Sequence, residues 1–166
     1  MAASKKRKGA KRYDTSRTAK RCAQIIEHVV QTSPMRADAQ RDIEIAAHVA
    51  LERLIRGGDK DSLYVLASAL DVARELALHD VGTDYLAKIE RGMAAIVATK
   101  KRANLTGAWK FESGEAEAVS AAIAVHDAQL EVASRKLVVD TINKLTARIE
   151  AGEGETEFEV SLLEAA

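Results

Sequence analysis

Nine cations crowd the first 22 residues: Lys5, Lys6, Arg7, Lys8, Lys11, Arg12, Arg17, Lys20 and Arg21, against a single acid, Asp14. Ammonium and guanidinium groups at this density do one thing well. They neutralise phosphates and release the counterions of a nucleic acid, with an affinity that falls steeply as salt rises. The whole chain carries 25 basic and 25 acidic residues, so a net +8 at this end leaves −8 over residues 23–166. Segregation of that kind marks an arm built to meet polyanions. Tyr13 is its one aromatic, which gives thin support for stacking on single strands. The alternative is a solubilising tail, or one that folds onto the acidic C-terminus. Arg17, Lys20 and Arg21 fall in the first turns of a predicted helix, where positive charge opposes the helix dipole at a few tenths of a kcal/mol each. Cations placed against local preference argue for an external partner.

The other chemistry-bearing residues give weaker signals. Glu44/His48 and Glu75/His79 are each spaced i, i+4, which puts a carboxylate and an imidazole on one helix face as a metal site would need. Di-metal bundles use Glu-x-x-His with further inward glutamates, which this chain lacks. Surface hydrogen bonding is therefore the expectation for both pairs, and no metal ligand or cofactor is assigned. His28, beside Glu27, falls on the solvent side of its helix. His126 is different, because Val119, Ile123 and Leu130 place it on an apolar face. A general base there would need a nucleophile, and none is spaced locally. A buried structural histidine is the expectation, and no catalytic residue is assigned. Cys22 lies on an apolar stripe and reads as packing. Gly57-Gly58-Asp59-Lys60 lacks the strand and glycine spacing of a phosphate loop and reads as a helix stop.

The elements that must position these groups are helical. Apolar residues make up 47% of the chain and aromatics only 4%, so the core must be built from Ala, Leu, Ile and Val, a mixture that suits closely packed helices. One proline and one cysteine leave long helices uninterrupted and exclude an internal disulfide, which fits a reducing cytoplasm. No apolar run reaches the roughly 18–20 residues that span a bilayer, and the basic N-terminus has no hydrophobic segment after it to act as a secretory signal.

Residues 1–14 are expected to be a disordered basic arm. A first helix opens near Thr15 or Ser16, carries Cys22, Ile26, Val29 and Val30 on one face, and stops at Pro34. A second runs from about Arg36 to Arg56, with Ile43, Ala46, Ala47, Ala50, Leu51 and Leu54 inward and Gly57-Gly58 as its stop. The third opens at Asp61 or Ser62, ends near His79 and bears two apolar stripes, which predicts a central helix. The fourth presents Leu86, Ile89, Met93, Ile96 and Val97. Gly92 within it costs about 1 kcal/mol relative to Ala and predicts close approach by another helix. Lys100–Glu112 breaks periodicity and reads as a loop with a short extended piece. Ser113 caps a fifth helix. Ser134 starts a sixth, with Val138, Ile142, Leu145 and Ile149 inward, whose continuity with the fifth is left open. Residues 153–166 are acidic with alternating Phe158, Val160 and Leu162, and are expected to be a tail or a docking strand. The fold expected is thus all-α, a bundle of five or six helices over residues 15–152 between tails of opposite charge.

Over about half its length, from near Asp71 onward, the chain resembles a family of small helical proteins of proteobacterial bacteriophages and mobile elements, some of them labelled regulators. Gly82, Tyr85, Gly92-Met93-Ala94-Ala95, His126-Asp127-Ala128-Gln129 and Arg148-Ile149-Glu150-Ala151-Gly152 carry the likeness. It implies a phage or mobile-element setting and little chemistry, and the basic arm lies outside it. Together these readings predict a non-enzymatic cytoplasmic accessory or regulatory protein whose arm contacts nucleic acid. The alternative is a protein-interaction module, an inhibitor or acidic mimic, in which a body of net charge −8 binds a host or phage protein.

Overall fold

A computed structural model describes residues 32–151, together with Gln24, Ile25, His28 and Val29 ahead of them. Among these residues the fold is all-α. Five helices follow one another: α1 (Ala37–Arg56), α2 (Lys60–Leu78), α3 (Leu86–Thr106), α4 (Glu115–Val132) and α5 (Arg135–Glu150), with a 3-10 turn at Thr83–Tyr85 between α2 and α3. They correspond to the second to sixth helices expected. Of the first, Gln24, Ile25, His28, Val29 and Thr32 are helical, and the turn ends where Ser33 N–H and Oγ both donate to Val29 O. Pro34 then pairs with Ser134, and Arg135 N–H donates to Ser33 O at 2.8 Å, tying this end of the chain to the α4–α5 joint.

The central position of α2 follows from its two apolar stripes: it packs against α1, α3, α4 and α5. Leu63, Leu66, Leu70, Ala73 and Leu76 are fully buried along it. Its start is one turn edge earlier than the sequence suggests. Asp59, not Asp61 or Ser62, is the N-cap, and its carboxylate accepts both Ser62 N–H and Ser62 Oγ at 2.7 Å. An aspartate three residues ahead satisfies an orphan amide that a residue inside the helix does not reach.

The expected loop from Lys100 is a correction. Helix α3 continues to Thr106 and stops at Gly107, whose φ of 74° is left-handed. Thr99 and Ala103 carry the buried stripe onward; both are small, and a pattern sought in large apolar residues loses them. The true connection is residues 107–114, and no strand forms within it. Gly58 N–H donates to Trp109 O at 2.8 Å, and Phe111 N–H to Leu54 O at 3.2 Å, so this connection caps the end of α1 and buries Phe111. Ser113 caps nothing: α4 begins after Gly114, and Glu115 reaches back to accept Glu112 N–H at 2.7 Å. Gly92 answers the expectation of close approach. A Cβ built there stands 2.6 Å from Ala122 Cβ and 3.3 Å from Ala118 O, so α3 and α4 meet backbone to backbone. Ala133 and Ser134 are extended (ψ 142° and 144°), and Ser134 Oγ accepts Leu137 N–H. The fifth and sixth helices are two helices.

Candidate functional site

Helix α5 departs from its expected packing, and the departure makes the most conspicuous surface feature of the body. Val138 is fully buried, but Ile142 is 38% and Ile149 63% exposed. The expected inward stripe faces solvent over its second half. Opposite it, α2 presents Val65, 40% exposed, and half-buried Val72. Beside them lies an apolar groove of about 610 Å³, lined also by Met93, Ile96 and Leu130 and by Ile43 and Ala46 of α1. That is the size of a pocket for a small molecule or for a few side chains of a peptide. Tyr64, Lys100, Asp71 and Arg148 stand among its lining residues. Lys100 Nζ lies 5.9 Å from the centre of the Tyr64 ring.

His126 also lines the groove. Its side chain is 1% exposed, as the apolar spacing requires, and its Nδ1 lies 3.2 Å from Asp127 Oδ1. The other carboxylate oxygen of Asp127 accepts from His48 Nε2 at 2.8 Å, across from α1. One carboxylate thus holds two imidazoles from two helices. Burial, the largest influence on Asp127, raises its pKa, but the hydrogen bonds from His126 and His48 and their charges together hold it below the usual aspartate value. Spacing within one helix could not reveal this contact, because His48 and Asp127 are 79 positions apart.

The two Glu-x-x-x-His pairs come apart. Glu44 accepts from Gln40 at 2.7 Å while His48 turns to Asp127. Buried Glu75 accepts from Lys144 of α5 at 2.7 Å, and His79 is exposed beyond the end of α2. Among the described residues no group of three His, Cys, Asp or Glu is placed to hold a metal ion. A second polar cluster went unseen in the sequence. Arg102 donates to both oxygens of Glu115 at 2.8 and 2.6 Å and to Lys110 O, and Thr99 Oγ1 donates to Glu115 as well. The Arg102 hydrogen bond, ahead of opposing burial, depresses the Glu115 pKa. This cluster joins α3 to the start of α4 and is structural. Gln129, the last of the His126–Gln129 tetrad, donates to Ala73 O at 3.0 Å and Val81 O at 2.6 Å, fastening α4 over the end of α2.

Lys5, Lys6, Arg7, Lys8, Lys11, Arg12, Arg17, Lys20 and Arg21 lie outside the described residues, as do Cys22 and the acidic tail from Gly152. The described body itself corrects one expectation. Residues 32–151 hold 16 Lys/Arg against 18 Asp/Glu, and residues 152–166 hold five Glu and no cation. The acidity therefore belongs chiefly to the C-terminal segment, and the body is close to neutral. Five of its cations stand in ion pairs: Arg36 with Asp38, Arg56 with Glu52, Arg102 with Glu112 and Glu115, Lys136 with Asp140, and Lys144 with Glu75. No described helix is long and apolar enough to cross a membrane. No protein-family model, curated protein or solved structure matches the chain.

Proposed function

We propose that this chain is a non-enzymatic accessory or regulatory protein that contacts nucleic acid through its basic arm, in the phage or mobile-element setting its resemblance implies. The observation that carries this reading is the division of charge. Nine cations sit in residues 1–22 against one acid, whereas residues 32–151 hold 16 Lys/Arg against 18 Asp/Glu and are near balance. Lys5, Lys6, Arg7, Lys8, Lys11 and Arg12 make the phosphate contacts, extended by Arg17, Lys20 and Arg21. Such contacts position a protein on a duplex without reading its sequence. The test is purification from a nuclease-free lysate. The full chain should carry nucleic acid that high salt strips away, and a chain lacking residues 1–14 should carry little; equal carry-over by both sinks the reading.

A protein-interaction module is the second reading, and the groove between α2 and α5 supports it. An apolar trough of this size beside exposed Ile142 and Ile149 accepts the side chains of a host or phage protein. Co-purification of one defined protein, lost on Ile142→Glu, would favour it over the first.

A further inference from the structure

Among the residues that line the groove, His126 is the one polar side chain that is fully buried. Leu63, Leu130 and Val138, which line it too, are no more than 1% exposed, so the trough reaches into the core instead of lying across the surface. We propose that this groove binds a small, largely apolar molecule bearing a hydroxyl group, which donates its hydrogen to Nε2 of His126. A concave, mostly apolar site with a few placed polar groups is the usual form of a small-molecule pocket, and about 610 Å³ falls within the usual size.

The hydrogen bonds of the ring decide what it offers a ligand. Nδ1 lies 3.2 Å from Asp127 Oδ1. Asp127, held below the ordinary aspartate pKa, is a carboxylate at neutral pH and can only accept. The ring hydrogen therefore sits on Nδ1, and the neutral imidazole presents Nε2 as a bare acceptor. Nε2 has no hydrogen-bond partner among the described residues. The fully enclosed side-chain atoms left without a partner there are Arg74 Nε and Gln129 Oε1. Nε2 is not one of them, so it opens onto the groove that the ring lines.

An acceptor in the wall of an apolar trough is satisfied by water or by a ligand that carries its own donor. A hydroxyl on an apolar body meets the nitrogen and at the same time takes the exposed apolar wall, Val65 and Ile142 included, out of water. Charge narrows the choice of donor. The lining holds Lys100 and Arg148 against a single acid, Asp71, which opposes an ammonium group. A carboxylate brings no hydrogen to Nε2, and an amide would bring a carbonyl that the apolar wall leaves unpaired. A neutral alcohol or phenol remains. This site stands apart from nucleic-acid contact by the arm, and it gives the groove a small molecule in place of the protein partner of the second reading.

Isothermal titration calorimetry of the full chain with two probes of similar shape, 4-pentylphenol and 4-pentylanisole, tests the site; a methyl ether replaces the hydroxyl in the second. The phenol should bind about tenfold more tightly than the ether, the worth of one hydrogen bond. His126→Leu should bring the two affinities together. Ile142→Asp, at a partly exposed position of the wall, should weaken both and keep their ratio. Nitrogen-15 spectra of the His126 ring should show hydrogen on Nδ1, and adding the phenol should shift the Nε2 signal. Should His126→Leu fail to fold, the phenol-to-ether ratio and the ring spectrum of the parent decide the matter. Equal affinity of the parent for phenol and ether, no binding of either, or hydrogen on Nε2 in the free chain overturns the proposal.

Discussion

Buried His126 reaches the half-buried carboxylate of Asp127 with one ring nitrogen and lines the groove with the rest of its side chain. Replacing it with Leu removes one of the two imidazoles that satisfy Asp127. Losing a partner at a buried polar group typically costs about 1–3 kcal/mol; Asp127 is half-buried and keeps His48, so His126→Leu should lose the lower end of that range and melt below the parent. His126→Gln keeps a donor of similar reach and should melt closer to it. If both variants melt like the parent, the His126–Asp127 contact contributes nothing and the histidine serves the groove instead. The carboxylates set the acid limb of stability. Asp127 and Glu115 both have folded pKa values below their ordinary 3.8 and 4.5. A depressed carboxylate contributes its full stabilisation above the ordinary value and loses it as pH falls through the folded one. Denaturant titrations should therefore show stability flat above about pH 5 from these groups and falling below pH 4.5. A Glu115→Gln chain should show a shallower fall; an unchanged slope would remove Glu115 from the account. Burial of His126 was legible from Val119, Ile123 and Leu130 at helical spacing. Its coupling to His48 was not, because helical periodicity says which side of a helix is buried and nothing of which helix lies opposite.

Helix boundaries and helix contacts make the next scale. Gly92 sits where a Cβ would stand 2.6 Å from Ala122. Gly92→Ala gains helix propensity of about 1 kcal/mol but forces α3 and α4 apart, and overpacking of this kind typically costs about 1–3 kcal/mol. The variant should be destabilised in thermal melts. Combining it with Ala122→Gly, which vacates the contested space, should recover part of the loss beyond additivity; simple additivity would contradict the contact. At the start of α2, Asp59→Ala should lower the melting temperature, whereas Ser113→Ala should not, because Asp59 accepts two hydrogen bonds and Ser113 caps nothing. Most of the helices were legible from large apolar residues at 3.6 spacing. The last two turns of α3, from Lys100 to Thr106, were missed because Thr99 and Ala103, which carry the buried stripe onward, are small. The incomplete cover of Ile142 and Ile149 was missed for the opposite reason. An apolar stripe at helical spacing predicts an inward face, and does not say how completely the rest of the bundle covers it.

For the molecule as a whole, charge is divided by region. Residues 1–22 carry +8, residues 32–151 carry two more acids than bases, and residues 152–166 carry −5. The all-α body was legible as a class because its composition leaves little else to build from. The arm's excess charge was legible by counting, whereas the neutrality of the body became visible only once its boundaries were drawn at Thr32 and Ala151. Nucleic-acid contact by the arm is the central claim, and fluorescence anisotropy of a labelled duplex tests it most directly. The full chain and a chain lacking residues 1–14 are titrated between roughly 50 and 200 mM salt. The account predicts log affinity falling linearly with log salt for the full chain, with a slope between about −4 and −8 for five to nine phosphates neutralised at about −0.9 each. The shortened chain should bind at least tenfold more weakly and show a flatter slope. Equal affinity for the two chains, or binding indifferent to salt, would contradict it.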